Sequence, residues 1–251
     1  MHDTKQALQR VQGVIRAAMQ SGAQPERPES ITPELIAVAK TVPAAACLPL
    51  LEEGHRSFGE NKVQEALHKW PSLREQFPDI CLHMIGPLQT NKAAQAVQFF
   101  DVVHTLDRPK LAHKLASAMQ AGPSVRLKQC LIQVNTGSEP QKAGVLVNDL
   151  APLLALSRDV LGLPVCGLMC IPPVDSDPVA HFVLLKRLAR QAGLPQLSMG
   201  MSSDYQHAVA VGATMLRVGT ALFGPRQARK LTNPEEVESD ASHPPDRLIA
   251  P

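Results

Sequence analysis

The chain has 251 residues, 44% hydrophobic and 19% charged, with a formal net charge of +2; this suits one α/β barrel and excludes a fibrous or wholly disordered chain. Aromatic residues are only 3% and no basic run is interleaved with them, so nucleic-acid binding has no compositional support. The opening residues (MHDTKQALQR) contain no apolar signal core, and the most apolar later stretch, residues 143–157, is broken by Asn148, Asp149 and Pro152; no membrane association and a cytoplasmic location are expected.

Leu8, Val11, Ile15, Ala18 and Met19 share one face of a helix over residues 5–20, an amphipathic extra element that packs on something larger. Residues 35–39 then read as a strand and 44–53 as a helix, the first βα unit. Further strands are predicted at 56–59, 80–85, 102–106, 129–135, 164–170, 196–200 and 215–219. Helical spacing lies between them, at Val63, Leu67 and Trp70, at Leu111 and Leu115, and at Phe182, Leu185 and Leu188. Eight apolar strands alternating with helices predict a parallel sheet buried on both faces, closed as a single (β/α)8 TIM-type barrel in preference to an open doubly wound sheet. The barrel domain is set at residues 1–226. Beyond it the chain turns charged and proline-rich (LTNPEEVESDASHPPDRLIAP), and 227–251 is expected to be a flexible tail.

Cys47, Cys81, Cys130, Cys166 and Cys170 stand mostly in apolar, strand-like contexts without a CxxC pair, and are expected to be reduced core thiols. The nine histidines show no HExxH motif and no clustering at ligand spacing, so no metal site is expected.

In a parallel barrel the loops leaving the C-terminal strand ends build the active site. Those ends carry Lys40, then Gly59, Glu60 and Asn61, then Gly86 with Gln89 and Asn91, then Asn135, Gly200 to Ser202, and Gly219 with Thr220. Lys40 closes an apolar run, where partial desolvation favours the neutral amine that forms a Schiff base; the alternative is a lysine that snorkels to solvent. Ser202, Gly219 and Thr220 offer hydroxyls and exposed backbone N–H groups to a phosphate, although capping explains serines at a helix start equally well. Arg217, inside the apolar run Met215 to Val218, needs a buried partner: a carboxylate, or a cofactor ring nitrogen.

The blocks AVAKTVP (37–43), FGENKVQE (58–65), HMIGPLQTNK (83–92), QVNTG (133–137), KAG (142–144), GLMCIPP (167–173), LSMGMSSDYQHAV (197–209) and RVGTALFG (217–224) together resemble the pyridoxal phosphate homeostasis protein family, or proline synthase co-transcribed family. Its barrel is similar to the N-terminal domain of alanine racemase, and the resemblance spans about residues 5 to 226. It implies pyridoxal 5′-phosphate (PLP) as cofactor, Lys40 as the Schiff-base lysine, Ser202, Gly219 and Thr220 at the phosphate, and Arg217 at the pyridine nitrogen. Asn61, His83 and Met199 would line the pocket. It further implies a monomeric carrier without established turnover, acting in vitamin B6 and amino-acid homeostasis, with PLP-dependent enzymes as possible recipients. Lys62, Ala39 and Val42 depart from the residues common in the family at those positions.

Two other readings use the same residues. One is a PLP-dependent amino-acid racemase, which needs a second base; the single tyrosine, Tyr205, reads more simply as packing. The other is a lyase in which Lys40 attacks a phosphorylated carbonyl substrate directly.

Overall fold

A strand that is apolar on both faces must be covered on both faces, and a closed parallel ring under a layer of helices supplies both covers. The computed structural model describes residues 3–21, 32–122 and 124–225; the expected tail at 227–251 lies outside them. The strands, all paired in parallel, are β1 (Glu34–Val38), β2 (Ser57–Glu60), β3 (Cys81–Met84), β4 (Val102–Leu106), β5 (Gln129–Asn135), β6 (Val145–Leu146), β7 (Val165–Met169), β8 (Gln196–Ser198) and β9 (Met215–Val218). Eight close a ring, running β1, β2, β3, β4, β5, β7, β8, β9 and back to β1, and β6 adds to β5 at its margin. The closed barrel is therefore the fold, and each of the eight predicted strands is present, with ends shifted by at most two residues.

The helices are α1 (Thr4–Ser21), α2 (Ala44–Glu52), α3 (Val63–Gln76), α4 (Ala93–Phe99), α5 (Pro109–Ala121), α6 (Leu150–Leu154), α7 (Pro178–Gln191), α8 (Tyr205–Val211) and α9 (Thr220–Phe223). The α1 helix is the predicted extra element. It buries Leu8, Val11 and Ile15 and lies against α2, α8 and α9. The α7 helix starts where the sequence dictates: Asp177 accepts a hydrogen bond from the Val179 N–H at 3.0 Å and Pro178 takes the first helical position, a place that costs proline no hydrogen bond. Among the described residues no helix is long and apolar enough to cross a membrane.

Alternation along the strands sorts the core into two layers. Leu35, Ala37 and Ala39 join the large apolar cluster between strands and helices, whereas Ile36 packs with Val102, Leu131, Met169 and Met215 in a second cluster inside the ring. Tight joints hold the layers in register. Gly200 has φ of +90°, and a β-carbon there would lie 2.6 Å from Cβ of Ala208 and 3.0 Å from Cα of Tyr205. That glycine lets the chain leave β8 directly under α8, which is why the loop carrying Ser202 is fixed relative to β9. Gly200→Ala combines left-handed strain with overpacking and should cost about 2–5 kcal/mol, measured by guanidinium unfolding; a change within about 0.5 kcal/mol would mean that the joint relaxes freely.

Candidate functional site

Strands β8, β9 and β1 are consecutive around the ring, so the residues after their C-terminal ends are neighbours although they come from opposite ends of the chain. Lys40 follows β1, in phase with Ile36 and Val38, and is half-buried. A β-carbon on Gly219 would stand 3.4 Å from Cβ and 3.5 Å from the carbonyl oxygen of Val38, so the backbone after β9 runs against the strand that presents Lys40. Ser202 Oγ accepts hydrogen bonds from the N–H groups of Gly219 (3.2 Å) and Ala221 (3.3 Å). Its own proton remains available to donate. Ser202 thus caps the turn into α9, not α8. Exposed Thr220 stands beside it, and together with Gly219 they form a small polar cradle. Thr41, next to Lys40, has φ of 62°, an uncommon conformation for a residue with a β-carbon; its hydroxyl donates to the Lys40 carbonyl at 2.6 Å.

Outside the ring the same strand end is braced by a buried ion pair. Lys69 Nζ donates to the Ala39 carbonyl at 2.6 Å and to Glu60 Oε1 at 2.7 Å, and Trp70 Nε1 donates to the same carboxylate oxygen at 3.0 Å. Glu60 is wholly buried, its other oxygen is unpartnered, and burial raises its pKa against the opposing pull of Lys69. Sequence reading put Glu60 at the rim but missed Lys69. The available signal was a lysine on the face of α3 that buries Ala66, Trp70 and Leu73, where a cation requires a carboxylate.

Inside the ring a polar chain runs the length of the barrel. Arg217, buried in β9, donates to Ser198 Oγ at 2.6 Å and to the Cys170 carbonyl at 2.8 Å. Its direct partners are a hydroxyl and a carbonyl, not a carboxylate. Ser198 Oγ lies 2.8 Å from His104 Nδ1, His104 Nε2 lies 3.0 Å from His83 Nδ1, and His83 Nε2 lies 3.4 Å from Glu34 Oε1. Burial works against a charge on either histidine. For His83 the hydrogen bonds to Cys81 and Glu34 overcome it and the pKa is pushed up to about 9. For His104 burial is reinforced by the charges of His83 and Arg217, holding the pKa well below its ordinary value.

The remaining predicted residues are spread more widely. Asn61 is at the rim, half-buried, and packs so closely on Gly86 that a β-carbon there would come within 2.3 Å of the Asn61 carbonyl oxygen. His83 lies deeper, joined to Arg217 only through His104 and Ser198. Met199 follows β8, but its side chain belongs to the apolar layer outside the ring. Asn135 clamps its own loop: its side-chain amide donates to the Glu139 carbonyl at 2.8 Å, and its oxygen accepts the Glu139 N–H at 3.2 Å.

The barrel and its rim lysine define a class that the comparisons identify. The family model for the alanine racemase N-terminal domain matches residues 18–227, and an alanine racemase from Corynebacterium glutamicum shares the fold at 16% identity, with a TM-score of 0.58 over 90% of this chain and 62% of that one. The pyridoxal phosphate homeostasis protein of Vibrio alginolyticus is 41% identical over 209 residues, 79% of this chain and 88% of that protein. The structure of PipY from Synechococcus elongatus with PLP bound is 36% identical, with a TM-score of 0.69 over 88% of this chain and all of that one. The chain belongs to the pyridoxal phosphate homeostasis protein family.

The Lys69 brace gives a pH-dependent prediction. Glu60 already has a raised pKa, and a raised carboxyl contributes stability below its unfolded value that is lost as pH rises through the folded one. Removing the counter-charge raises it further. Lys69→Met should therefore cost about 3–5 kcal/mol at pH 8 and distinctly less at pH 5, by guanidinium unfolding; equal losses at both would exclude Glu60 as the cause.

Proposed function

We propose that this protein holds PLP as a Schiff base on Lys40 and acts in cytoplasmic vitamin B6 and amino-acid homeostasis as a carrier, not as an enzyme with its own turnover. The observation that carries this reading is the meeting, on three consecutive strands, of Lys40, the Ser202–Gly219–Thr220 cradle and buried Arg217. Family membership and the PLP-bound relative support it. The barrel, residues 1–226, is the cofactor-binding unit. The acting species is a monomer, and PLP-dependent enzymes are the recipients.

The residues fit the cofactor. Ser202 and Thr220 hydroxyls and the Gly219 backbone suit a phosphate, because small groups let N–H donors approach the anion. Arg217 donates hydrogen bonds and accepts none; with neutral partners on its inner side, its outward edge suits an unprotonated ring nitrogen. Asn61, fixed by Gly86, lines the rim, while His83 and Met199 act indirectly, one through the inner polar chain and the other by packing behind β8. When bound, PLP supplies an aldehyde that condenses with an amine and a ring that withdraws electrons.

Carrier is favoured over racemase by what faces the site. A racemase needs a base on the second face of the cofactor, and Tyr205, the only tyrosine, is buried within α8 against the outer apolar layer. The lyase reading leaves the buried Arg217 without a ring nitrogen to meet.

The test is the absorbance spectrum of the purified protein, with borohydride reduction and peptide mapping. A visible band that reduction fixes on Lys40 is expected. Lys40→Ala should abolish it, Arg217→Ala should shift it, and Ser202→Ala should weaken PLP retention by about tenfold, one charge-assisted hydrogen bond. A colourless protein that takes up no added PLP overturns the proposal, and rapid conversion of L- to D-alanine replaces carrier by racemase.

A further inference from the structure

At the opposite end of the barrel, β1 and β3 bring Glu34 beside Cys81 and His83, two residues of one strand that lie far from it in the chain. Glu34, Cys81 and His83 each offer one ligand atom, and these atoms all lie within 4.8 Å of one another. Cys81 Sγ is 3.4 Å from His83 Nε2, and Glu34 Oε1 is 3.4 Å from the same nitrogen. A tetrahedral zinc ion, with Zn–S of about 2.3 Å and Zn–N and Zn–O of about 2.0–2.1 Å, spaces its sulfur and nitrogen ligands about 3.5 Å apart and its nitrogen and oxygen ligands about 3.4 Å apart. Two edges of the ligand triangle already have the required lengths.

The surroundings support the ligands as a metal site does. A metal-bound histidine is oriented through its other ring nitrogen, and a metal-bound carboxylate accepts a further hydrogen bond. His83 Nδ1 is held by His104 Nε2 at 3.0 Å, which leaves Nε2 directed at Cys81 and Glu34, and Ser57 Oγ donates to Glu34 Oε1 at 2.5 Å. There is also an approach from solvent. A cavity of about 420 Å³, lined by Glu34, Ser57 and His55 together with Leu8 and Ile15 of α1, opens on this end of the barrel. His83 is fully buried while Glu34 keeps 35% of its side-chain exposure, so the carboxylate faces the entry and the imidazole closes the far side.

We infer that Glu34, Cys81 and His83 form a binding site for a single Zn²⁺ ion at the base of the barrel, with the fourth coordination position turned toward the cavity under α1. The mixed thiolate, imidazole and carboxylate set suits zinc better than a hard, all-oxygen cation. Three protein ligands leave one position for water, unlike a closed four-ligand structural site. The inference is independent of Lys40 and of PLP.

The test is calorimetric titration of the full chain with Zn²⁺, followed by X-ray absorption at the zinc edge of the one-equivalent complex. Expected are one site, a sulfur scatterer at about 2.3 Å beside nitrogen and oxygen at about 2.0 Å, and at least tenfold weaker binding in both Cys81→Ser and Glu34→Gln. Near-ultraviolet circular dichroism reports whether each variant is folded. Glu34→Gln preserves the shape of the side chain, so it and the zinc-edge spectrum decide the matter should Cys81→Ser fail to fold. Zinc bound with nitrogen and oxygen ligands alone, binding undiminished in the folded variants, or no binding at all would each overturn the inference and leave the three residues as a hydrogen-bonded group.

Discussion

Closing a parallel sheet shuts bulk water out of the middle of the barrel, and a polar group buried there must find its partner inside the same ring. This constraint governs the molecule. Arg217, Ser198, His104, His83 and Glu34 come from five different strands, β9, β8, β4, β3 and β1, yet they form one unbroken chain. Each solves a burial problem for the next. Above and below the chain, Ile36, Val102, Leu131, Met169 and Met215 fill the apolar remainder of the interior.

The rim follows from the same closure. Because β9 pairs with β1, the first and last strands of the ring become neighbours, and Gly219 contacts the strand that carries Lys40. A doubly wound open sheet could not place those two strand ends together by this route. The Lys69–Glu60–Trp70 brace acts on the same point from outside, since Lys69 grips the carbonyl immediately before Lys40. The backbone presenting the lysine is thus held by a glycine contact on one side and a buried ion pair on the other.

Strand positions were legible because a strand buried on both faces reads as a continuous apolar run, and the rim followed because barrel sites gather at strand ends. Short elements were not legible: β6, α6 and α9 have five residues or fewer, too few for a period to show. Depth was also hidden. His83 and Met199 stand beside rim residues in the sequence, but strand parity and distance below the mouth turn one into the interior chain and the other outward. Least visible was the meeting of Glu34 with Cys81 and His83, because the parallel pairing of the ring brings a carboxylate from β1 to a Cys-x-His pair on β3 some fifty residues later, and no motif spans that gap.

The direction of the inner chain can be worked out from its ends. Arg217 is only a donor, so Ser198 Oγ must accept from it. At the other end, Glu34 and Cys81 favour a positive charge at His83 Nε2, whether the charge is a proton or a metal ion. In either case Nδ1 of His83 keeps its hydrogen and donates to His104 Nε2. His104, held neutral, then has its one hydrogen on Nδ1 and donates it to Ser198 Oγ. Both ends therefore push donors toward the middle, where the hydroxyl of Ser198 has two lone pairs to receive them. A neutral His83 with its hydrogen on Nε2 would reverse the two histidine bonds and make Ser198 a donor to His104. The charge state at the base of the barrel accordingly sets the polarity of the hydrogen bonds that end at Arg217, with the strands themselves unmoved.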